Sequence, residues 1–250
     1  MKITSVNNQL IKDVIKLQQK KYRTESDLFL LEGYKSVYEA YQSGIKLKHV
    51  FVLSDKADRY NFIEQELILT TSAVLKKIST TDSAPEVVAV GKQPKNNPET
   101  LKESNKVVLL ENVSDAGNLG TIIRTAVAFG VRSIVLFGDT VDLYNPKCVR
   151  STVGNLWKIN IVHVKELETL KRYFSDYDRV ATLPLVTNSI MFNDWKPSEK
   201  TLVMFGSEAD GLSDELKNYA STNLTIEMSE NVESLNLSVS AGVIMHKLMG

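Results

Sequence analysis

A single cysteine, Cys148, stands in 250 residues, so no disulfide can form within the chain. Histidine is almost as scarce. His49, His163 and His246 lie far apart, and with one cysteine they match no zinc-ligand spacing, so no metal is expected. No apolar run approaches the roughly 18 residues that a spanning helix needs. Met1 to Asn8 holds no apolar stretch of leader length. These two absences lead to the expectation of a cytoplasmic protein with no membrane partner. An excess of charge is missing too: 30 Lys and Arg cancel 30 Asp and Glu. The chain is therefore no polycation, and any nucleic-acid contact must come from local patches. Internal repeats and low-complexity tracts are also lacking.

What is present is ordinary globular composition. Hydrophobic residues make up 43% and charged residues 24%, which excludes global disorder, a collagen-like repeat and a membrane bundle. The length suits two domains of about 100–150 residues, or one large α/β domain. Charge is unevenly placed. Residues 1–23 carry Lys2, Lys12, Lys16, Lys20, Lys21 and Arg23 against Asp13 alone, a net of +5. Such a cluster is either a phosphate-facing helix or a solvated helix face.

Periodicity predicts an α/β module first. Asn8 to Gln19 has an apolar stripe at helical spacing, Leu10, Ile11, Val14, Ile15 and Leu17. Leu28–Leu31, His49–Leu53 and Val87–Val90 read as strands, and Lys35–Ser43 as a helix stopped by Gly44. Gln93 to Thr100 holds two prolines and no apolar residue, which is linker composition. The expected division is 1–92, a linker over 93–104, and 105–250. The second part alternates strands (Val107–Leu110, Ser133–Phe137, Ile159–Val164, Arg179–Leu183, Thr201–Phe205, Asn223–Ile226) with helices (Leu119–Phe129, Pro146–Val153, Glu166–Phe174, Leu212–Tyr219, Leu237–Met249). That alternation predicts a mostly parallel sheet covered on both faces. Ligands bind such sheets where loops leave the C-terminal strand ends.

Three of those loops carry chemistry. In the first, Glu111 to Gly120 leads into Thr121-Ile122-Ile123-Arg124-Thr125-Ala126. Arg124 lies about 130° from the helix's apolar stripe, so it faces the strand ends or solvent. Asn118 suits the helix N-cap. The second loop is Phe205-Gly206-Ser207-Glu208-Ala209-Asp210-Gly211-Leu212. Gly206, directly after an apolar strand, suits close approach of a ligand to the backbone, and a glycine-bounded turn explains the same residues. The third runs from Ile226 through Met228, Ser234, Leu235 and Asn236 into the terminal helix. Ser234 or Asn236 would cap that helix, leaving the other polar group, with Ser238, for a ligand. No loop has the GxGxxG spacing, which excludes a dinucleotide oxidoreductase.

Taken together and in order, Asp115–Ala126, Leu202–Leu212 and Ser234–Val239 resemble the three signature motifs of the SpoU-type (TrmH) RNA ribose methyltransferases, of the SPOUT superfamily. Lys147–Gly154 is similar to the segment between the first two motifs. Phe29-Leu30-Leu31-Glu32-Gly33 is similar to the L30e-like substrate-binding module that often precedes this catalytic domain. The resemblance implies a C-terminal SPOUT α/β trefoil-knot domain after a small L30e-like α/β domain, a homodimer, and S-adenosylmethionine as cofactor. It implies methylation of a ribose 2′-hydroxyl in structured RNA, with rRNA favoured over tRNA. It assigns catalysis to Arg124, Glu208, Ser234 and Asn236, with Glu208 ordering Arg124 or Asn236. It assigns the cofactor to Leu183, Gly206, Ile226, Met228 and Leu235. RNA contacts are expected from Asn118, Lys12, Lys16, Lys20 and Arg23. Two departures stand out: Ala116 and Glu227 occupy positions where proline is usual in the family, which removes preorganised φ without touching side-chain chemistry. The competing expectation is a non-catalytic RNA-binding or ribosome-assembly protein that keeps the fold.

Overall fold

The structure, a computed structural model, describes residues 1–232 and 234–249. Glu233, in the third loop, and Gly250 lie outside the described residues. The elements are β1 (Lys2–Ile3), α1 (Gln9–Lys16), α2 (Lys20–Ser26), β2 (Leu28–Glu32), α3 (Tyr34–Gln42), β3 (Leu47–Leu53), β4 (Ile68–Thr70), α4 (Ser72–Ile78), β5 (Val87–Lys92), β6 (Lys106–Glu111), α5 (Ala116–Ala128), β7 (Ser133–Phe137), α6 (Pro146–Ser151), β8 (Asn160–Val164), α7 (Leu167–Phe174), β9 (Asp178–Thr182), β10 (Ile190–Met191), β11 (Thr201–Phe205), α8 (Asp214–Tyr219), β12 (Thr222–Thr225) and α9 (Leu237–Met249). They divide into two compact units. One comprises Met1–Lys95 with Asp142–Trp157, the other Asn96–Val141 with Lys158–Gly250.

The first unit is built on a five-stranded mixed sheet in the order β1-β4-β3-β5-β2. β1, β4 and β3 run parallel, and β5 is antiparallel to both β3 and β2. Asn8 caps α1, its side chain accepting from Leu10 N at 2.9 Å. Ile11 and Val14 then bury against Phe51, Ile68 and Leu75. The helix expected to run to Gln19 ends at Lys16 and a second, α2, follows it. α2 closes at Asp27, which adopts a left-handed φ of 54°.

Arg23 requires a correction. Expected among the RNA contacts, it is 2% exposed. Its Nη2 lies 2.6 Å from Asp142 Oδ2, its Nε donates to the same oxygen at 2.7 Å, and its Nη1 donates to Leu17 O at 2.8 Å. A planar guanidinium with fixed donors suits such a buried pairing, and a side chain buried to this degree does not reach a phosphate from solvent. The residues from Asp142 to Trp157 join this unit through the same kind of tie. Arg150 pairs with the buried Glu32, and Tyr144 and Trp157 pack on Phe29 at 5.0 and 5.5 Å between ring centroids.

The second unit has a seven-stranded sheet in the order β10-β12-β9-β11-β6-β7-β8, with every neighbouring pair parallel. β7 and β11 are buried along their lengths and β6 from Val107 onward, as strands covered on both faces must be. Part of the segment expected as linker is structured: Pro98–Glu103 forms a 3-10 helix, and Leu101 enters the core beside Val107, Phe174 and Leu202. Asn96 fastens the segment to β8, donating to His163 O at 3.1 Å and accepting from His163 N at 2.9 Å. α9 packs on α5. No described helix is long and apolar enough to cross a membrane.

Candidate active site

In the second sheet, β12, β9, β11 and β6 are consecutive and parallel, so their C-terminal ends share one edge. Leu183 follows β9, Gly206 follows β11, Ile226 follows β12, and the Asn112–Asp115 loop follows β6. Four chain segments far apart in sequence thus leave the sheet side by side, which is where open α/β sheets bind ligands.

The first loop is shaped by Asp115. Its carboxylate accepts from Asn118 N at 2.8 Å, so Asp115, not Asn118, is the N-cap of α5. The helix starts earlier than its apolar stripe suggests, because an acid whose side chain reaches the amide three residues on satisfies that orphan donor. The side chain of Asn118 is thereby free to bridge. Its Nδ2 donates to Glu208 Oε1 at 2.8 Å, and its Oδ1 accepts from Asn236 Nδ2 at 3.2 Å. Asn236 in turn caps α9, its Oδ1 accepting from Ser238 N at 2.9 Å and Ser238 Oγ at 2.6 Å. One continuous hydrogen-bonded chain, Glu208–Asn118–Asn236–Ser238, therefore joins all three loops. Among the described residues Glu208 is joined to Asn236 through Asn118, a bridging role for Asn118 that its place at the start of α5 did not suggest.

Arg124 is exposed on α5, while Leu119, Ile122, Ile123 and Ala126 fill the buried face. Ser234 is exposed before α9 and lies outside the bonded chain.

Gly206 is buried at the root of the second loop. Ser207 N and Gly211 O are 3.1 Å apart, as are Gly211 N and Ser207 O. The loop closes on itself so tightly that a Cβ at Gly206 would lie 1.9 Å from Gly211 C. Gly211 itself has φ of 68°, a conformation glycine adopts without steric cost. Glu111, which no motif singled out, anchors this loop: buried at the end of β6, its Oε2 accepts from Ser213 N at 2.7 Å. Its signal in the sequence was a carboxylate closing an apolar strand.

Around the edge the side chains are apolar. Leu183 is half-buried against the core, Ile226 is half-buried, and Met228 and Leu235 are 38% and 37% exposed. Glu227, where the family resemblance leads one to expect proline, is held from outside by Asn193 Nδ2 at 2.6 Å. Among the described residues no group of three or more His, Cys, Asp or Glu could hold a metal ion.

Lys12, Lys16 and Lys20 are exposed on α1 and α2 of the first unit. Lys16 is bound to Asp13 at 2.8 Å, which raises its pKa through the hydrogen bond and the charge of that carboxylate.

The SpoU rRNA Methylase family profile matches residues 105–246, and the MRM3-like substrate binding domain matches residues 8–89. The chain is 31% identical over 258 residues to the 23S rRNA (guanosine(2553)-2'-O)-methyltransferase RlmP of Bacillus subtilis, covering 99% of each. It is 26% identical to a 23S rRNA (uridine(2479)-2'-O)-methyltransferase of Streptomyces viridochromogenes, over 98% of this chain and 91% of that one. Among solved structures, the AdoMet-bound rRNA methyltransferase from Sinorhizobium meliloti superposes with a TM-score of 0.87 at 29% identity, covering 99% of this chain and 97% of that chain.

Proposed function

The chain belongs to the SpoU rRNA methylase family, and on that premise we propose that it transfers a methyl group from S-adenosylmethionine to a ribose 2′-hydroxyl of structured RNA, an rRNA in the first instance. The observation that carries this reading is the bonded chain Glu208–Asn118–Asn236. It draws the three loops together at the strand-end edge and leaves Arg124 exposed on the adjoining helix.

The fold of the second unit is that of the SPOUT methyltransferases. The return of the chain from β12, outside β9, to α9 on α5 supports the deep trefoil knot that this fold class carries. The residues fit the cofactor. Adenine needs a flat apolar slot with a few backbone hydrogen bonds, and Leu183, Met228 and Leu235 offer apolar walls beside the backbone of Gly206 and Ile226. S-adenosylmethionine, when bound, supplies the sulfonium methyl. The chain's own residues position the hydroxyl, which is the larger part of catalysis in a bimolecular transfer. A guanidinium stays protonated, so Arg124 clamps the neighbouring phosphate and polarises the hydroxyl. Asn118 acts as a positioning residue that holds Glu208 to Asn236, and Ser234 contacts the substrate from the third loop.

The first unit, an L30e-like module, binds the RNA with Lys12, Lys16 and Lys20. It recognises shape and phosphate, as proteins that bind folded RNA commonly do. The enzyme works in the cytoplasm as a homodimer. Support for the dimer is an apolar groove of about 510 Å³ along α5 and α9, lined by Phe129, Phe192, Val239, Val243 and His246. Val239 and Val243, four residues apart on α9, are 51% and 36% exposed there, apolar neighbours on one helix face that a partner subunit would cover. Val239→Asp is expected to convert the dimer to a monomer in sedimentation equilibrium. A dimer that persists in this variant removes the groove from the interface.

The test of function is transfer from labelled S-adenosylmethionine to rRNA lacking the modification, followed by nucleoside analysis. Labelled 2′-O-methylnucleoside is expected. Absence of both methyl transfer and cofactor binding would replace this reading with a non-catalytic RNA-binding protein. Asn118→Ala removes two bonds of the chain and is expected to lower kcat about tenfold, with a loss of stability of at most about 2 kcal/mol at about 1 kcal/mol per bond. Single-turnover rates at saturating cofactor check it, and an unchanged rate would make the bonded chain structural only.

A further inference from the structure

The first unit contains a pocket that neither the signature motifs nor the family resemblance accounts for. It is about 230 Å³ and lies between α1, α2 and the ends of β3 and β5. Val14, Leu17, Leu28 and Val90 form an apolar floor, and Tyr22, His49, Lys16 and Lys48 stand around the opening. Its volume is below the roughly 300–1,000 Å³ of sites that enclose a drug-sized ligand or cofactor. It suits one planar ring.

Three features point to the nature of that ring. Tyr22 puts an aromatic ring in the lining, and Lys16 and Lys21 Nζ lie over that ring at 6.0 and 5.7 Å from its centroid. The His49 imidazole sits partly desolvated 6.2 Å from the Phe51 ring. Burial, with the charge of Lys48, lowers its pKa, so at neutral pH it offers one donor and one acceptor nitrogen. The surroundings are rich in cations. Lys12 and Lys16 lie on α1, Lys20 and Lys21 on α2, Lys46 and Lys48 at the start of β3 and Lys92 at the end of β5, all exposed. Asp13 and Glu25 are the acids lining the opening, and each is already paired, Asp13 with Lys16 at 2.8 Å and Glu25 with Lys21 at 4.0 Å. An apolar, aromatic slot for one ring, with Lys16 and Lys48 at its opening and further lysines on the elements that form it, is complementary to a base whose flanking phosphates are anionic.

We propose that this pocket takes one unstacked nucleobase of the RNA substrate, with Tyr22 as the stacking face, His49 on the base edge, and Lys16 and Lys48 on the adjoining phosphates. The proposal rests on the reading of the protein as an RNA-modifying enzyme. It adds a point at which the first unit senses a single-stranded, extruded nucleotide and not duplex shape alone. Single-stranded bases are recognised in this way elsewhere, by stacking on an aromatic ring within a basic groove.

The test uses the full chain and three fluorescein-labelled 12-nucleotide probes, oligo(A), oligo(U) and an abasic ribose-phosphate oligomer, followed by anisotropy at fixed salt. Wild-type protein is expected to bind the better base-bearing probe about tenfold more tightly than the abasic one, the order of one base–aromatic stack. Tyr22→Ala and His49→Ala should bring that ratio to within about twofold, with abasic binding unchanged. Tyr22→Phe should keep the ratio, and Lys48→Ala should weaken all probes alike. Circular dichroism melts identify any variant that fails to fold, and His49→Ala, a change at a half-exposed side chain, then decides. Equal binding of base-bearing and abasic probes by wild type, or a ratio that survives both alanine variants, overturns the proposal. Cofactor binding and methyl transfer to rRNA, measured on the same preparations, report on the enzymatic reading separately. Transfer without base preference sinks the pocket alone, and base preference at Tyr22 and His49 without transfer upholds the pocket alone.

Discussion

Gly206→Ala is expected to abolish S-adenosylmethionine binding and methyl transfer while the protein still folds. A Cβ at this position would lie 1.9 Å from Gly211 C, 2.1 Å from Leu212 N and 2.2 Å from Gly211 O. All three are backbone atoms, so no side chain can rotate out of the way. The loop must open, which breaks the paired bonds between Ser207 and Gly211 and shifts Ser213, held by Glu111. Overpacking of this kind costs about 1–3 kcal/mol and occasionally more, a fall of roughly 2–12 °C in Tm for a chain of this size. The functional loss should be larger than the loss of stability, since a misplacement of about 1 Å in a positioned site can cost 10²-fold in rate. Calorimetric titration with S-adenosylmethionine should show affinity reduced more than 100-fold, and a melting curve should keep a single transition. Affinity within threefold of wild type would mean that the second loop does not form the cofactor site.

The meeting of the three loops at one sheet edge was legible in the chain itself. Three strand-end loops rich in Asp, Asn, Glu and Arg do not arise from capping alone, and the parallel sheet that gathers them follows from alternating strands and helices. Other features escaped for identifiable physical reasons. Asn118 and Asp115 are both good N-caps, and only the 2.8 Å bond from Asn118 N to Asp115 shows which of them caps α5 and which is left to bridge. Glu111 sits at the end of a strand like any solvent-facing acid, yet it is buried because its partner, Ser213 N, lies 102 positions further on. Arg23 sits in a basic run, and a charge count cannot distinguish a cation facing phosphate from one neutralised by Asp142, 119 residues away. The same long-range pairing explains why Asp142–Trp157, contiguous in sequence with the second unit, packs within the first. α4 and β4 are only 7 and 3 residues long, too short for periodicity to reveal. Contacts at long sequence separation were what the one-dimensional pattern could not carry.

Arg124→Ala should separate chemistry from binding. Arg124 is exposed on a helix whose opposite face is buried, so its removal leaves no cavity and no unpaired buried partner. Tm is expected to stay within about 1 °C, as for most exposed substitutions. Cofactor affinity should also hold, because the proposed pocket lies on the other loops. The rate should fall by about 10³-fold, the upper end of the effect of losing one preorganised charge-stabilising group. The loss should fall on kcat at saturating RNA, since a clamp that tightens on the reacting conformation acts on the transition state and not on ground-state binding. Arg124→Lys should recover only a small part, because an ammonium cannot reproduce the bidentate fork on a phosphate. The shape of the pH profile distinguishes a clamp from a base. If Arg124 polarises the hydroxyl and does not take its proton, the residual activity of Arg124→Ala keeps the same pH dependence as wild type, displaced downward by a constant factor. A profile that loses its rising limb in Arg124→Ala would instead make the guanidine the proton acceptor, and the role assigned to its permanent charge would fail.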